Sequence, residues 1–575
     1  QPASFRGELR RLEVRYYRRR RVLEGVVFDG TGAVTLKWFH GKFEWLVKKY
    51  PAGSSVVAYG VVNYFNGGRE VIHPDLEIED APAAGEMESV VPVYSEVEGV
   101  HPKVLRKIMR QAVEGASMHL VGVVPPALYP LCGVDEGYLR YPGAAYKELH
   151  FPSSQGEALS EGIERARKAV ALGEFFLLEL SLLRRRSGEK SAEGIAFRPD
   201  FSLIRPLLKT LPFELTGAQK RVLSEIRRDM ESALPMLRLL QGDVGSGKTL
   251  VALIASLMAA ESGYQGAVMA PTEVLAEQHY RNFLRLLDGL PARVELLTGS
   301  TTQRERDRIS GALALGEVEI IVGTHALIQP DVSFKNLGLA VVDEQHRFGV
   351  MQRVALAQKR RGKGVPDLLV MTATPIPRTL SMTVYGDLDL SVIDEMPPGR
   401  APVKTTVVGK AGYQKVCDFI RAEVKKGRQA YVVFPLVEES EKSELKAAVE
   451  TSRHFSEEVF PDLRVGLLHG RMNSAEKEAA LGAFSRGETD ILVSTTVIEV
   501  GIDVKNATVM AVEHAERFGL SQLHQLRGRV GRGGGESYCF LLVGGPVSGD
   551  ARERLSIMAA TNDGFRIAEE DLKIR

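Results

Sequence analysis

The chain has little cysteine, little tryptophan and almost no net charge. Its 575 residues include three cysteines, Cys132, Cys417 and Cys539, which are far apart and form no Cys-x-x-Cys pair or cluster with histidine. This spacing argues against a disulfide framework or a zinc site and fits a reducing compartment. Because 74 Lys and Arg residues face 73 Asp and Glu residues, the net charge is +1. Any nucleic-acid surface must therefore come from local clustering of basic residues.

Long apolar runs are also absent. No run approaches the roughly 18 residues that a membrane span needs, and no charged-then-apolar leader opens the chain. We therefore expect a cytoplasmic protein with no membrane partner. The chain begins at Gln1 rather than Met, in strand-like sequence, and we expect it to have been trimmed. The length predicts roughly four domains, and a hydrophobic fraction of 44% is enough for buried cores.

The clearest motif is a glycine-rich stretch at residues 241–249, which lies between two apolar segments and predicts a strand, a turn and a helix. Gly242 followed after four residues by Gly247-Lys248-Thr249 is the pattern of a phosphate-binding loop. Glycines let backbone N–H groups point at a polyphosphate, and the helix N-terminus adds partial positive charge. Lys248 is predicted to bind the β- and γ-phosphates, and Thr249 to bind Mg²⁺. The alternative, a glycine-rich turn that binds nothing, is disfavoured because both flanks agree. The predicted nucleotide-binding residues of the loop are Gly242, Asp243, Val244, Gly245, Ser246, Gly247, Lys248 and Thr249.

Residues 1–80 alternate apolar and polar residues in short runs that glycines interrupt, with a hairpin signal at residues 29–32. Five or so short strands predict a small barrel of the oligonucleotide-binding (OB) type. Aromatic residues beside cations suit stacking on unpaired bases. Since Trp38 and Phe39 are adjacent on a strand, one must face inwards and one outwards. The alternatives are a ring that only fills the barrel and an arginine run that is only a solvated face. The candidate nucleic-acid contacts here are Trp38, Phe39, Arg18, Arg19 and Arg20.

The region that follows carries helical patterns. Residues 81–85 indicate a linker, and helices are predicted near residues 101–114 and 157–186. The second helix would span almost 40 Å and is interpreted as a strut between domains.

From residue 211 to about 543, strand and helix patterns alternate, which predicts two α/β units with parallel sheets on either side of a hinge at residues 397–399. Ligands in such sheets bind at the carboxyl ends of the strands. The predicted strands are 238–242, 266–271, 293–298, 318–323, 338–343 and 367–372 in the first unit, and 403–409, 428–435, 464–468, 489–494, 506–513 and 537–543 in the second.

Two strand ends in the first unit carry polar groups. Asp343 is placed to hold Mg²⁺, and Glu344 to polarise the water that attacks the γ-phosphate. Two acids that only cap a strand end are the alternative. Hydroxyls after the next strand can hydrogen-bond these acids and relay the nucleotide state. The predicted coupling residues are Gln345, His346, Thr372, Thr374 and, in the second unit, Gln525.

Phe213 and Gln219 precede the phosphate loop. A glutamine amide can pair with both edges of adenine, and a phenylalanine can pack on the base. Taken singly, each residue is a weak indication, and a surface glutamine is the alternative.

The second unit contributes arginines at residues 525–533. Arg529 and Arg532 are three residues apart, which on a helix places both on one face. Two guanidiniums that reach across a cleft can neutralise the γ-phosphate as charge develops. An exposed basic helix is the alternative. Asp503 can reach the nucleotide or an arginine, and the hydroxyls of Thr495 and Thr496 suit phosphodiester contacts.

In this order the motifs resemble those of superfamily 2 helicases. Thr272, the pair Thr324-His325 and Arg471 lie in stretches that match nucleic-acid-contacting loops of that superfamily. Residues 242–249, 343–349 and 372–379, together with 29–32, 38–39 and 73–74, look like the bacterial RecG family over essentially the entire chain.

The resemblance implies an ATP- and Mg²⁺-dependent translocase on double-stranded DNA that regresses stalled forks and branch-migrates Holliday junctions. The barrel would be a wedge that splits the junction arms. A monomer at the bacterial nucleoid is expected, with single-stranded DNA-binding protein as a further candidate partner. The expected domains are a wedge at 1–150, a linker helix region at 151–210, helicase domains at 211–398 and 399–545, and the start of a translocation hairpin at 546–575.

Three other functions share some of these features. The transcription-repair coupling factor shares the helicase pair but lacks this barrel. An RNA helicase of the Asp-Glu-Ala-Asp type is disfavoured because residues 343–346 are Asp-Glu-Gln-His. A passive junction-binding scaffold that merely senses ATP is disfavoured by Lys248, Glu344, Arg529 and Arg532.

Overall fold

The structure is a computed structural model, and its chain divides into two units, residues 1–180 and 181–575. The residues that it describes are 2–17, 20–65, 68–78, 90, 92–95, 97, 99–100, 102–152, 157–189, 193–343, 364–373, 377, 380, 388–397, 401–435, 450, 452–495, 504–533, 535–545 and 547–574.

The first unit begins with a closed barrel. Its elements are β1 (Pro2–Tyr17), β2 (Arg20–Phe28), β3 (Ala33–Trp38), α1 (Phe43–Lys49), β4 (Ser55–Phe65), β5 (Gly68–Ile72) and β6 (Asp75–Ile78). The strand order is β1-β2-β3-β5-β4, and β4 pairs back to β1, which closes the ring. Only β3 and β5 run parallel among these five strands. A five-stranded barrel with these connections confirms the predicted OB type.

After the barrel, the described residues of the first unit include five α-helices. They are α2 (Pro102–Ser117), α3 (Tyr129–Cys132), α4 (Glu136–Arg140), α5 (Pro142–His150) and α6 (Glu157–Glu189). The pattern predicts α2 and α6 but not α3, α4 and α5, which have 4, 5 and 9 residues and are shorter than the window of about 11 residues over which helical periodicity is recognised. The 33 residues of α6 make it about 50 Å long at 1.5 Å per residue, and the division between the two units falls within it.

The second unit contains two lobes, each built on a parallel sheet. The first lobe has α7 (Ile204–Thr210), α8 (Gly217–Met230), β7 (Leu237–Gly242), α9 (Lys248–Glu261), β8 (Gln265–Met269), α10 (Glu273–Leu286), β9 (Val294–Leu297), α11 (Gln303–Leu315), β10 (Ile320–Gly323), β11 (Leu337–Asp343), β12 (Asp367–Thr372) and β13 (Asp389–Ile393). The sheet order is β13-β7-β12-β11-β8-β10-β9. All six strands predicted for this lobe are present, and β13 is an additional edge strand beside β7.

The second lobe repeats this plan with a six-stranded sheet. Its elements are β14 (Val403–Val408), α12 (Tyr413–Lys425), β15 (Gln429–Val433), β16 (Val465–Leu468), α13 (Ser474–Ser485), β17 (Ile491–Ser494), β18 (Ala507–Val512), α14 (Leu520–Arg527), β19 (Ser537–Leu542), α15 (Gly549–Ala560) and α16 (Gly564–Ile574). The sheet order is β14-β19-β18-β15-β17-β16, and its strand pairings are parallel. The predicted fold class, an OB barrel followed by two α/β lobes, is therefore confirmed. None of the helices in the described ranges combines the length and apolar character that crossing a bilayer requires.

Candidate functional site

The parallel register of the first lobe brings three strand ends together. β12 lies between β7 and β11, with Thr372 opposite Gln241 and Asp343 opposite Met371. The strands are fully or largely buried, since apolar side chains cover both faces. The polar residues that follow them therefore meet at one edge of the sheet, where ligands of such sheets bind.

The phosphate loop closes on itself around the ammonium group of Lys248. Gly245 and Gly247 have φ values of +80° and +91°, which glycine adopts readily. A Cβ on Gly247 would lie 2.3 Å from Nε2 of Gln219. The Lys248 side chain is 9% exposed, and its Nζ donates to the carbonyl oxygens of Gly242 at 2.8 Å and Asp243 at 3.0 Å. This cradle of backbone with a buried cation fits a polyphosphate.

Gln219 is buried, and its amide is engaged within the protein. Its Oε1 accepts from the backbone N–H of Thr216 at 3.0 Å, as part of the capping box of α8, and its Nε2 donates to the carbonyl oxygen of Ser246 at 2.9 Å. The side chain thus braces the phosphate loop from behind. Pairing with adenine, as the sequence predicts, would require exchange of these bonds. Phe213 is 43% exposed and lines the cleft beside the loop, in a position suited to a base.

Asp343, the acid at the end of β11, has a histidine partner that the sequence does not predict. Asp343 is 8% exposed, and its Oδ2 lies 2.8 Å from Nε2 of His279 on α10. A histidine that holds one carboxylate oxygen orients the other. Thr249 is the second residue of α9. Together with Asp343 it supplies oxygen donors of the kind that Mg²⁺ prefers. The described residues contain no group of three or more candidate metal ligands, and Glu344 lies outside them.

The predicted arginines lie after a helix rather than on one. α14 ends at Arg527, and the chain then turns through Gly528 and through Gly531, which has a φ of +83°. The expectation that helical spacing places Arg529 and Arg532 on one face is therefore wrong, because the helix ends before either arginine. Arg532 nevertheless lines the same cleft as Lys248, while its Nε donates to the carbonyl oxygen of Gly528 at 3.4 Å. Arg529 is half-buried beside it.

This cleft between the lobes has a volume of 1110 Å³. Its first-lobe wall includes Gly245, Gly247 and Thr249. Cations outnumber acids along its walls, which suits a ligand with several negative charges. The charged residues that line it are Lys248, Arg281, Arg285, Arg486, Lys505, Arg532, Glu277 and Glu478.

The two lobes contact each other beside the cleft. Asp243 of the phosphate loop lies 2.6 Å from His524 on α14, measured from Oδ1 to Nε2. A Cβ on Gly528 would lie 2.9 Å from Cβ of Val244, so only glycine allows this approach. Burial raises the pKa of the Asp243 carboxyl, but hydrogen bonds from His524 and the Val244 N–H, with Lys248 nearby, bring the pKa below its usual value. The sequence predicts Asp243 at the nucleotide but gives no signal for His524, which immediately precedes the arginine-bearing residues 525–533.

The predicted nucleic-acid loops are only partly exposed. His325 and Arg471 are exposed. Thr324 and Thr495 are 2% and 8% exposed, so the structure contradicts the expectation that their hydroxyls face DNA: both are enclosed where their strands end. Thr272 caps α10 by accepting from the backbone N–H of Leu275. Of the coupling candidates, Thr372 is buried at the end of β12 and Gln525 is half-buried on α14.

The barrel separates its adjacent aromatic residues. Trp38 is 6% exposed and belongs to the barrel core, whereas Phe39 is 52% exposed. The expectation that one faces inwards is confirmed, and Trp38 is removed from the candidate DNA contacts because its ring is enclosed. Trp45 on α1 is 55% exposed, and Nζ of Lys49 lies 4.9 Å from its ring centroid. This exposed aromatic is not among the predicted contacts.

Several predicted residues lie outside the described part of the chain, so the structure does not locate them. For Arg20 the structure describes only the backbone, in β2. The others are Arg18, Arg19, Glu344, Gln345, His346, Thr374, Thr496 and Asp503.

A phosphate loop on one parallel sheet, an acid at a neighbouring strand end and an arginine from a second lobe define a two-lobed helicase motor. Comparison with family models supports this class. Residues 216–383 match the DEAD/DEAH box helicase model, and residues 411–534 match the helicase conserved C-terminal domain. Residues 1–115 match the RecG wedge domain, so the barrel has a family match of its own.

Similarity to known proteins extends along the whole chain. The ATP-dependent DNA helicase RecG of Synechocystis is 46% identical over 570 residues, which cover 96% of this chain and 66% of that protein. The protein of the same name from Thermotoga maritima is 45% identical, over 100% of this chain and 71% of its own length. A solved structure of RecG bound to a three-way DNA junction matches with a TM-score of 0.72 and 41% identity, over 100% of this chain and 74% of that one. The chain belongs to the RecG family of ATP-dependent DNA helicases. It spans about two thirds to three quarters of the length of these relatives.

Proposed function

We propose that this chain hydrolyses ATP in the cleft between its lobes and uses the energy to remodel branched DNA, regressing stalled forks and branch-migrating Holliday junctions. One observation carries the proposal: Lys248 of the phosphate loop and Arg532 of the second lobe line the same cleft. A nucleotide there would be held from both sides, so hydrolysis would change how the lobes meet. The related structure bound to a three-way junction supports branched DNA as the substrate.

Several residues in or near the cleft have proposed roles. Lys248 binds the β- and γ-phosphates, and Arg532 with Arg529 neutralises charge that develops on the γ-phosphate. Thr249 and Asp343 would hold Mg²⁺, which would supply further positive charge at the phosphates. From the sequence, Glu344 orients the attacking water. His279 fixes the Asp343 carboxylate, whose Oδ2 it contacts at 2.8 Å.

The proposal assigns the barrel to strand separation. Phe39 presents a half-exposed ring at the end of β3, and its backbone N–H donates to Nε2 of His73 at 3.3 Å. A ring on a braced backbone can stack on a base that has lost its partner. We also propose that the protein acts as a monomer in the bacterial cytoplasm at the nucleoid, with single-stranded DNA-binding protein as a partner.

Phe39→Ala is expected to slow junction unwinding by about fivefold to tenfold while ATP hydrolysis changes less than about twofold, because stacking on one base contributes roughly 1–3 kcal/mol. Unwinding of a labelled three-way junction and phosphate release measure the two rates. Tyr64→Ala is the matched control, since Tyr64 is another exposed barrel aromatic, at 76%. Parallel loss of both rates would contradict the stacking role. Trp38→Ala should instead destabilise the barrel by roughly 3–5 kcal/mol, seen as a lowered unfolding temperature.

The experiment that tests the function compares ATP hydrolysis on linear duplex, single-stranded DNA and a three-way junction. A motor on branched DNA should hydrolyse ATP fastest with the junction. Junction binding with no stimulation of hydrolysis would favour a passive scaffold instead, and fastest hydrolysis on single strands would reject branched DNA as the substrate.

A further inference from the structure

A continuous line of hydrogen bonds runs from the phosphate loop into the second lobe. Asp243 Oδ1 contacts His524 Nε2 at 2.6 Å, and His524 Nδ1 contacts Arg527 Nη2 at 3.0 Å. Nη1 of Arg527 then donates to the carbonyl oxygens of Met558 at 2.8 Å and Thr561 at 2.7 Å, where α15 ends. His524 is therefore held from both sides, by the loop of one lobe and by an arginine anchored in the other.

The chemistry of arginine assigns the hydrogens along this line. A guanidinium has only donors, so Nδ1 of His524 must accept from Arg527. Nε2 then carries the hydrogen and donates it to the Asp243 carboxylate. If the imidazole ring gained a second hydrogen, on Nδ1, that hydrogen would face the Arg527 N–H groups and break the line. The link consequently works with a neutral imidazole.

Because the groups of this link are buried, breaking it would be energetically unfavourable. His524 and Arg527 are 4% and 3% exposed, and burial lowers the pKa of the Arg527 guanidinium. Polar groups in such a place must be paired, because an unpaired buried donor or acceptor costs about 1–3 kcal/mol. Among the described residues, the charged or titratable groups around the line include Lys248 beside Asp243 and the thiol of Cys539 beside Arg527.

The link acts at the point where the arginine segment, residues 528–533, follows the end of α14. His524 is separated by one helical turn from Gly528, which packs against Val244 of the phosphate loop. The turn that starts there carries Arg532 into the cleft. The polar link and the glycine contact together fix where this segment sits against the loop.

We infer that His524 is a positioning residue for ATP hydrolysis, which holds the arginine segment in place by joining the phosphate-loop carboxylate of Asp243 to Arg527. The inference rests on ATP hydrolysis in the proposed cleft and adds a residue that touches neither phosphate nor DNA. It acts on the rate of the chemical step, through the placement of Arg532, more than on nucleotide affinity.

Two substitutions separate the halves of the link. Asparagine has an acceptor as many bonds from Cβ as Nδ1, so His524→Asn can keep the Arg527 contact but cannot reach Asp243. Glutamine has a donor as many bonds from Cβ as Nε2, so His524→Gln can keep the contact with Asp243. Steady-state hydrolysis without DNA gives kcat and KM for ATP in each variant.

His524→Asn should lower kcat about tenfold, the equivalent of one hydrogen bond to a charged group, with KM within about threefold. His524→Gln should recover kcat to within about threefold of the unmodified protein. In the double variant Asp243→Ala, His524→Asn, kcat should fall by a smaller factor than the product of the two single reductions, because both substitutions remove the same contact.

Three results would overturn the inference: an unchanged kcat in His524→Asn, an equal loss in the glutamine and asparagine variants, or effects that multiply in the double variant. If His524→Asn does not fold, Asp243→Ala carries the test, since it removes the oxygen to which the imidazole donates; an unchanged kcat there also overturns the inference. Absence of hydrolysis in the unmodified protein would instead reject the proposed function, so the two failures are distinguishable.

Discussion

Lys248→Ala is expected to lower ATP hydrolysis by at least roughly 10²–10³-fold, the cost of removing a group that stabilises transition-state charge. The side chain is buried within its own loop, with Nζ on two backbone carbonyl oxygens at 2.8 and 3.0 Å. A bound triphosphate would offer that ammonium a better partner than neutral carbonyls. Phosphate release with saturating junction DNA measures the loss.

The same variant should keep its affinity for the junction, because the proposed DNA contacts lie on the barrel and on exposed loops such as that of Arg471. Fluorescence anisotropy with a labelled three-way junction measures this directly. Lys220→Ala is the control, since it removes an exposed lysine from the same lobe. If Lys248→Ala lost junction binding and hydrolysis to the same degree, its role in the nucleotide site would be contradicted. From the sequence, Glu344→Gln is expected to behave in the same way.

Arg532→Ala is expected to reduce kcat by roughly 10³-fold, within the range of 10³–10⁵ for arginines that act on the γ-phosphate. Arg532 belongs to the second lobe, yet it shares the cleft with Lys248 and Thr249 of the first. Its contribution should appear mainly in the rate, because charge on the γ-phosphate oxygens develops in the transition state. Nucleotide affinity should therefore change far less than kcat.

Fluorescent-nucleotide binding and single-turnover hydrolysis distinguish these two quantities for Arg532→Ala. The matched control is Arg552→Ala, an exposed arginine on α15 of the same lobe. Hydrolysis within about twofold of the unmodified protein would mean that Arg532 does not act on the γ-phosphate. A loss of affinity as large as the loss of kcat would make it a binding residue instead.

The α/β part of the fold was predictable because buried parallel strands are continuous apolar runs. All twelve predicted strands are present in the two lobes, with ends that differ by no more than three residues. β13 was missed because its five residues, Asp-Leu-Ser-Val-Ile, mix polar and apolar residues. Its place at the edge of the sheet beside β7 comes from tertiary pairing, which local sequence does not encode.

The site was predictable where a motif carries its own chemistry. The phosphate loop forms from glycines and a lysine that are adjacent in the sequence. The direction of adjacent side chains was harder: alternation placed one of Trp38 and Phe39 inside the barrel but could not say which. Thr324 and Thr495 were expected to contact DNA, yet both are enclosed, because exposure depends on what packs over a strand end.

The partners of the predicted residues were not predictable. His279 is 64 residues from Asp343, and His524 is 281 residues from Asp243. A single histidine on a helix is usually part of a core, and no local pattern relates it to a distant carboxylate. The fold of the first lobe brings the first pair together, and the contact between the two lobes brings the second pair together.

The proposed function depends on one nucleotide being held by both lobes, and hydrogen–deuterium exchange tests this most directly. Exchange of backbone amides is compared with and without a non-hydrolysable ATP analogue in the presence of Mg²⁺. Slower exchange is expected in two segments, the phosphate loop at residues 243–249 and the arginine segment at residues 528–533. Slower exchange in the phosphate loop alone, with the arginine segment unchanged, would contradict it.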